Sequence, residues 1–196
     1  MEARRITQER NTKETQIKLL LDLDNGTIPE IDTPVPFFNH ILTSMAFHGG
    51  FFLKLSASGD IDVDPHHLVE DTGLVLGDAL KEAVLSYGSI KRFGHAVIPM
   101  DDALSEVTID ASGRPFLVFS ADFPQEYAGN FPLCLVREFF IALSSRGGLT
   151  LHADCRYGDN SHHMAEALFK ALGKALGQSF GRRTGTPAST KGSLHE

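Results

Sequence analysis

His66-His67-Leu68-Val69-Glu70 returns ninety-six positions later as His162-His163-Met164-Ala165-Glu166, and that return decides how the chain is read. As a helix, each stretch sets its first histidine and its glutamate four apart, on one face and one turn from each other. The second histidine is rotated by roughly 100° and looks elsewhere. A histidine and a carboxylate so spaced can share a metal ion, as the paired histidines of zinc-binding helices do. The adjacent imidazole is then left to reach a second ion. A lone His-His-x-x-Glu is more often a solvated patch or the remnant of a purification tag. The duplication argues otherwise, because the apolar frame repeats with it: Leu76-Gly77-x-Ala79-Leu80 follows the first copy and Leu172-Gly173-x-Ala175-Leu176 the second.

The repeat extends upstream. His40 to Leu53 aligns with Glu138 to Leu151, bringing Gly49-Gly50 into register with Gly147-Gly148. Gly59-Asp60 and Gly158-Asp159 precede the two histidine pairs. In the first copy, Thr15 to Leu23 alternates as a half-buried strand, and Asp24-Asn25-Gly26 reads as a turn. Pro36 opens a short helix over 37–47, Phe51 to Ser58 is a strand, and Asp64-Pro65 opens a helix to about Tyr87. The second copy shows strand patterns at 95–99, 104–109 and 116–119, a helix over 133–145, a strand over 149–156, and a helix capped by Asn160-Ser161 that runs to about Phe180. The expected fold is α+β: a duplicated strand-strand-helix-strand-helix unit, two pseudo-symmetric halves with helices packed on one face of a sheet. The halves are expected at 14–93 and 94–180, between a flexible N-terminus (1–13) and a Gly/Ser/Thr/Pro-rich tail (181–196).

Composition fits one compact domain or two small halves sharing a core, with 196 residues, 42% hydrophobic and 22% charged. A net charge of −7 argues against a general nucleic-acid or anionic-membrane surface. No apolar run approaches the roughly 18 residues of a membrane span, and the opening residues lack a signal-peptide pattern. Cys134 and Cys155 stand in no metal or redox spacing, so a cytoplasmic location with reduced thiols is expected.

The repeat proposes eight metal ligands in two sets. Helix geometry joins His66 to Glu70 and His162 to Glu166, and His67 and His163 cross to the opposite ions. His40 and Glu138 hold equivalent places and complete the sets: His40, His67, His162 and Glu166 on one ion, and His66, Glu70, Glu138 and His163 on the other. Mixed imidazole and carboxylate ligation suits Mn, Fe or Zn. Four protein ligands with room for water and substrate favour an octahedral ion, hence two Mn²⁺ per active site.

At this point a family resemblance is carried by many residues: Phe37-Phe38-Asn39-His40, His48-Gly49-Gly50, Asp64-x-His66-His67-x-x-Glu70-Asp71-Thr72-Gly73, Arg92-Phe93-Gly94, Ser112-Gly113-Arg114-Pro115, Asn160-Ser161-His162-His163-x-x-Glu166, Phe169-Lys170-Ala171 and Ser189-Thr190-Lys191-Gly192. From about Glu14 onward the chain resembles the imidazoleglycerol-phosphate dehydratases. The resemblance implies a hydro-lyase of histidine biosynthesis that converts imidazole glycerol phosphate to imidazole acetol phosphate with two Mn²⁺ ions. It also implies a homo-oligomer of 24 subunits built from trimers, with active sites at subunit contacts. It casts Glu14 as a substrate-contacting carboxylate, and Arg92, Arg114, Lys170, Ser189 and Lys191 as phosphate and substrate ligands. Arginine offers forked hydrogen bonds to phosphate and lysine a point charge.

Two positions depart from the family pattern. Asn39 stands where the family usually has Asp and is expected to orient His40. Glu138 stands where the family usually has a metal-binding His. Either it replaces that ligand, which its pairing with His40 favours, or the site is impaired.

The chemistry asks for water to leave across two carbons beside an imidazole. Holding the ring nitrogens between two metals makes imidazolate and draws electrons into the ring. Glu14, Glu70, Glu166, His67 and His163 are the candidate proton-handling groups. His48 lies two turns from His40 on one helix face, within reach of substrate. Two other readings compete: a two-metal hydrolase, and a metal-stabilised shell protein whose catalysis is lost through Glu138.

Overall fold

The computed structural model describes residues 3–88 and 90–184. The first half runs β1 (Arg5–Asn11), β2 (Thr15–Asp22), β3 (Glu30–Asp32), α1 (Pro36–Gly49), β4 (Phe52–Gly59), α2 (His66–Tyr87). The second runs β5 (Phe93–Met100), β6 (Ala103–Asp110), β7 (Phe116–Ser120), a small hairpin β8 (Tyr127–Ala128) and β9 (Phe131–Pro132), α3 (Cys134–Gly147), β10 (Thr150–Tyr157), α4 (Ser161–Ser179). The sheets have the same order, β1-β2-β4-β3 and β5-β6-β10-β7, and in each the last pair is parallel and the others antiparallel. The duplicated unit is therefore present, with four strands per half rather than three and a sheet for each half rather than one shared sheet.

The N-terminal segment departs from expectation. Arg5–Asn11 is a strand paired with β2 along its whole length, although its residues are mostly polar. Ile6 alone enters the core, so the apolar signal was too sparse to betray a strand whose cohesion comes from backbone pairing. In β2 the alternation holds as read, with Ile17, Leu19 and Leu21 buried.

The four helices lie between the sheets, and they interleave. α1 of the first half packs on α4 of the second, and α2 on α3. Close approach explains the glycines. A Cβ on Gly73 would stand 2.7 Å from the Phe139 carbonyl oxygen, and one on Gly77 would stand 2.8 Å from the Gly147 nitrogen. Gly173 meets Met45 in the same way on the other helix pair. Phe38, Phe131, Phe139, Phe140 and Phe169 fill one continuous core that both halves share. Gly50 and Gly148 end α1 and α3 with φ of 71° and 62°, the left-handed conformation glycine adopts at little cost.

Candidate metal centre

Both histidine pairs open helices. The Asn160 side chain caps α4 by accepting from the His162 backbone N–H at 2.9 Å, and the Asp64 carboxylate accepts from the His66 N–H at 2.7 Å. Within each pair the rings stand nearly perpendicular, at 89° and 84°, so neighbouring imidazoles address different partners.

Interleaving brings α1 beside the start of α4. His40 Nε2 lies 2.9 Å from Glu166 Oε2, and His162 Nε2 lies 3.2 Å from the same oxygen. These three residues offer ligand atoms all within 4.8 Å of one another, the one such cluster among the described residues. Lys170, one turn on, places Nζ 2.8 Å from Glu166 Oε1. Burial alone would raise the Glu166 pKa, but the Lys170 ammonium and His40 outweigh it and hold the carboxyl down to about 2. The carboxylate is thus charged and ready for a cation. His48 is half-buried on α1, and its pKa is lowered first by burial and then by Lys170 and Lys174.

On the other helix pair, His66 Nε2 stands 3.6 Å from Glu70 Oε2. Glu138 is carried by α3 one residue before Phe139, whose carbonyl Gly73 of α2 abuts. It forms no hydrogen bond or ion pair among the described residues, and it does not close on His66 and Glu70 as the three residues around His40 do.

Within one chain the crossing histidines do not complete either set. His67 Nδ1 meets Asp60 Oδ2 at 3.0 Å, and His163 Nδ1 meets Asp102 Oδ1 at 2.6 Å. Each aspartate favours the proton on Nδ1, which leaves the Nε2 lone pair for a metal. The Asp60 hydrogen bond is the largest influence that raises His67, with burial opposing it and Glu14 adding its charge. Asp102 Oδ2 also accepts from the backbone N–H groups of Asp159 and Asn160, at 2.6 and 2.8 Å. Asp60 had a signal in the sequence, the Gly-Asp before each pair. Asp102 had none, because it arrives from the β5–β6 turn.

Asn39 does not orient His40. Its amide is closed onto Thr33, accepting from Oγ1 at 2.6 Å and donating to the carbonyl at 2.9 Å. Thr33, six residues upstream, outcompetes the imidazole for both amide atoms.

Arg92 and Arg114 share Asp110, at 2.6 and 3.3 Å. Asp110 ends β6 and Asp102 precedes its start, while the Arg92 N–H bonds the Ser179 carbonyl at the far end of α4 from His162. An eight-residue strand and a nineteen-residue helix both span roughly 25 Å. The two arginines therefore stand far from the histidines of their own chain. Glu14 is exposed in the β1–β2 turn, on the His67 side. Ser189 and Lys191 lie outside the described residues.

Fold and site together define a duplicated α+β protein with histidine–carboxylate clusters at the starts of its long helices. A family model described as imidazoleglycerol-phosphate dehydratase matches residues 33–176. An imidazoleglycerol-phosphate dehydratase of Geobacter sulfurreducens is 50% identical over 168 residues, covering 86% of both chains. One of Methanosarcina barkeri is 48% identical over 185 residues, covering 94% of this chain and 96% of its own. The crystal structure of the Staphylococcus aureus enzyme superposes with a TM-score of 0.83 at 38% identity, covering 91% of this chain and 99% of that one. The chain belongs to the imidazoleglycerol-phosphate dehydratase family.

Proposed function

We propose that this chain removes water from imidazole glycerol phosphate to give imidazole acetol phosphate, a carbon–oxygen lyase step of histidine biosynthesis. The observation that carries the reading is the meeting of His40, His162 and Glu166 across the two halves. Family membership supports the substrate over the hydrolase and inert-shell alternatives.

The donor set fits a divalent cation of the Mn²⁺ type: a buried charged carboxylate, two imidazoles, and further histidines whose other nitrogen an aspartate holds. His40, His162 and Glu166 would hold one ion, and His66 and Glu70 the other, with Glu138, which does not close on them within one chain, as its further ligand. When bound, such ions would supply Lewis acidity to the substrate imidazole. Every remaining role falls to the chain itself. Glu14 moves the substrate proton, and Glu70 and Glu166 shuttle protons from the metal shell. Asp60 and Asp102 fix the ring orientation of His67 and His163. Lys170 and His48 meet the polar end of the substrate beside the first cluster, and Ser189 and Lys191 are the family-derived candidates for binding its phosphate.

Arg92 and Arg114 reach a site only in a neighbouring copy, because both sit at the wrong end of α4 for their own. The same holds for His67 and His163 as crossing ligands. These placements support a homo-oligomer as the working unit, for which a 24-subunit shell is the family-derived expectation. Among the described residues no helix is long and apolar enough to cross a membrane, and a cytoplasmic place suits the proposed reaction.

The test is direct. Metal-stripped protein given Mn²⁺ and imidazole glycerol phosphate should yield the ketone product, and His162→Ala should abolish it. Release of inorganic phosphate instead would convert the reading to a hydrolase. An intact assembly with bound metal and no product would convert it to a structural one.

A further inference from the structure

The duplication supplies an internal control for every polar group in the molecule. Strand register places Leu21 opposite Leu53 and Ile109 opposite Leu151, so Leu21 and Ile109 are counterparts. Seven residues back from each, Glu14 falls where Asp102 stands. The glycine contacts agree: Gly59 packs on Thr15 and Leu68, and Gly158 on Ala103 and Met164.

The two carboxylates are used in opposite ways. The Asp102 side chain is tied to His163 and to the backbone at the start of α4. The Glu14 side chain makes no hydrogen bond or ion pair among the described residues, but its backbone is held on every side. Thr12 Oγ1 accepts from the N–H groups of Glu14 and Thr15, at 3.1 and 2.9 Å. The Glu14 carbonyl accepts from the Asp60 N–H at 3.0 Å. The Thr15 hydroxyl donates to Asp71 Oδ2 at 2.5 Å, both residues being buried. Asp71 Oδ1 in turn pairs with Arg10 Nε at 2.9 Å, an ion pair without hydrogen-bond geometry.

Arg10, Thr15 and Asp71 have counterparts in the second half, and these are Ile98, Ala103 and Ala167. The second half builds the same corner from apolar residues, with Ala103 against Cys155 and Met164. The fold at this corner thus has no need of a buried carboxylate, and an isolated one costs stability unless it is paired. The polar version occurs only in the half whose turn carries the free carboxylate.

We propose that Asp71, through Thr15 and with Arg10 as its counter-charge, is a positioning residue for Glu14. It locks the β1–β2 turn to the α2 turn that carries Glu70, so that a free side chain swings from a fixed backbone. The proposal rests on Glu14 as the proton-carrying group. A misplacement of about 1 Å at a reacting group can cost on the order of a hundredfold in rate.

The test imports the second half's solution: Arg10→Ile, Thr15→Ala and Asp71→Ala together, and Thr15→Val alone, each assembled with Mn²⁺. The triple variant should keep its bound Mn²⁺, its assembly and its KM, while kcat falls at least tenfold. Thr15→Val should lose about fivefold or more. Added to Glu14→Gln, neither change should lower kcat further, since a residue acting through Glu14 has nothing left to position. A kcat within twofold of the parent overturns the proposal. So does an equal loss in the Glu14→Gln background, or a loss that appears in KM or metal content. If the triple variant fails to fold, Thr15→Val alone decides on the same criteria. Full activity of Glu14→Gln would instead remove the role of Glu14 itself, a separate and recognisable failure.

Discussion

Gly73→Ala puts a methyl group where α2 touches α3. The new Cβ would stand 2.7 Å from the Phe139 carbonyl oxygen and 2.9 Å from the Ala142 Cβ. Carbon–oxygen contacts settle at about 3.3 Å or more and carbon–carbon contacts at roughly 3.5 to 4.0 Å. The helices must therefore part by about 0.6 Å or more. Overpacking of this kind costs about 1 to 3 kcal/mol, against which alanine recovers up to about 1 kcal/mol of helix propensity. A net loss of about 1 to 2 kcal/mol corresponds to a fall in Tm of roughly 2 to 8 °C for a chain of this size. The same displacement carries Glu138, next to Phe139, away from the α2 turn that holds Glu70. Calorimetry on the metal-free protein should show the lower Tm. Mn²⁺ titration followed by electron paramagnetic resonance should show one class of site weakened by roughly tenfold. An unchanged or higher Tm would mean that the helices yield freely at this point and that the glycine is not there for close approach.

Three further outcomes are expected. Glu138→His should leave two Mn²⁺ sites but raise the relative affinity for Zn²⁺, because imidazole is a softer donor than carboxylate; competition titration reads the ratio. Asp24→Asn should destabilise the fold by about 1 to 3 kcal/mol near neutral pH, since the carboxylate serves Arg4 and Arg182 at 2.7 and 2.5 Å. Its pKa is lowered below the ordinary 3.8, first by the Arg4 hydrogen bond, with burial opposing and Arg182 adding. That stabilisation is present above 3.8 and lost as pH falls through the lowered folded-state value, so denaturation curves of parent and variant should converge in acid. Mixed assembly of inactive His162→Ala and Arg92→Ala chains should restore roughly a quarter of the sites if each draws on two chains; a mixture that stays inactive would place both residues in one chain's site.

The repeat made the helix pairs and the histidine faces legible because it states the same pattern twice. That the adjacent histidines of His66-His67 and His162-His163 face different ways follows from their spacing on a helix. What stayed hidden is what depends on chains meeting in space. Asp102 supports His163 from a turn sixty-one residues away, and nothing near either residue announces it. Asn39 kept its amide for Thr33 because a local loop partner stood closer than the helix face. β1 was invisible because its cohesion is backbone pairing, which leaves no hydrophobic trace. The distance between Arg92 and His162 emerged only from α4 lying along its whole length between them.

The interleaving of α1 with α4 and of α2 with α3 has a historical consequence. A half-length ancestor bearing one copy of the unit would leave the apolar side of each helix uncovered, so it could stand only as a pair of identical chains with two equal centres. Joining the copies end to end released them from that equality. Glu138 opposite His40, and a free Glu14 opposite a tethered Asp102, are the marks of centres that have since gone separate ways.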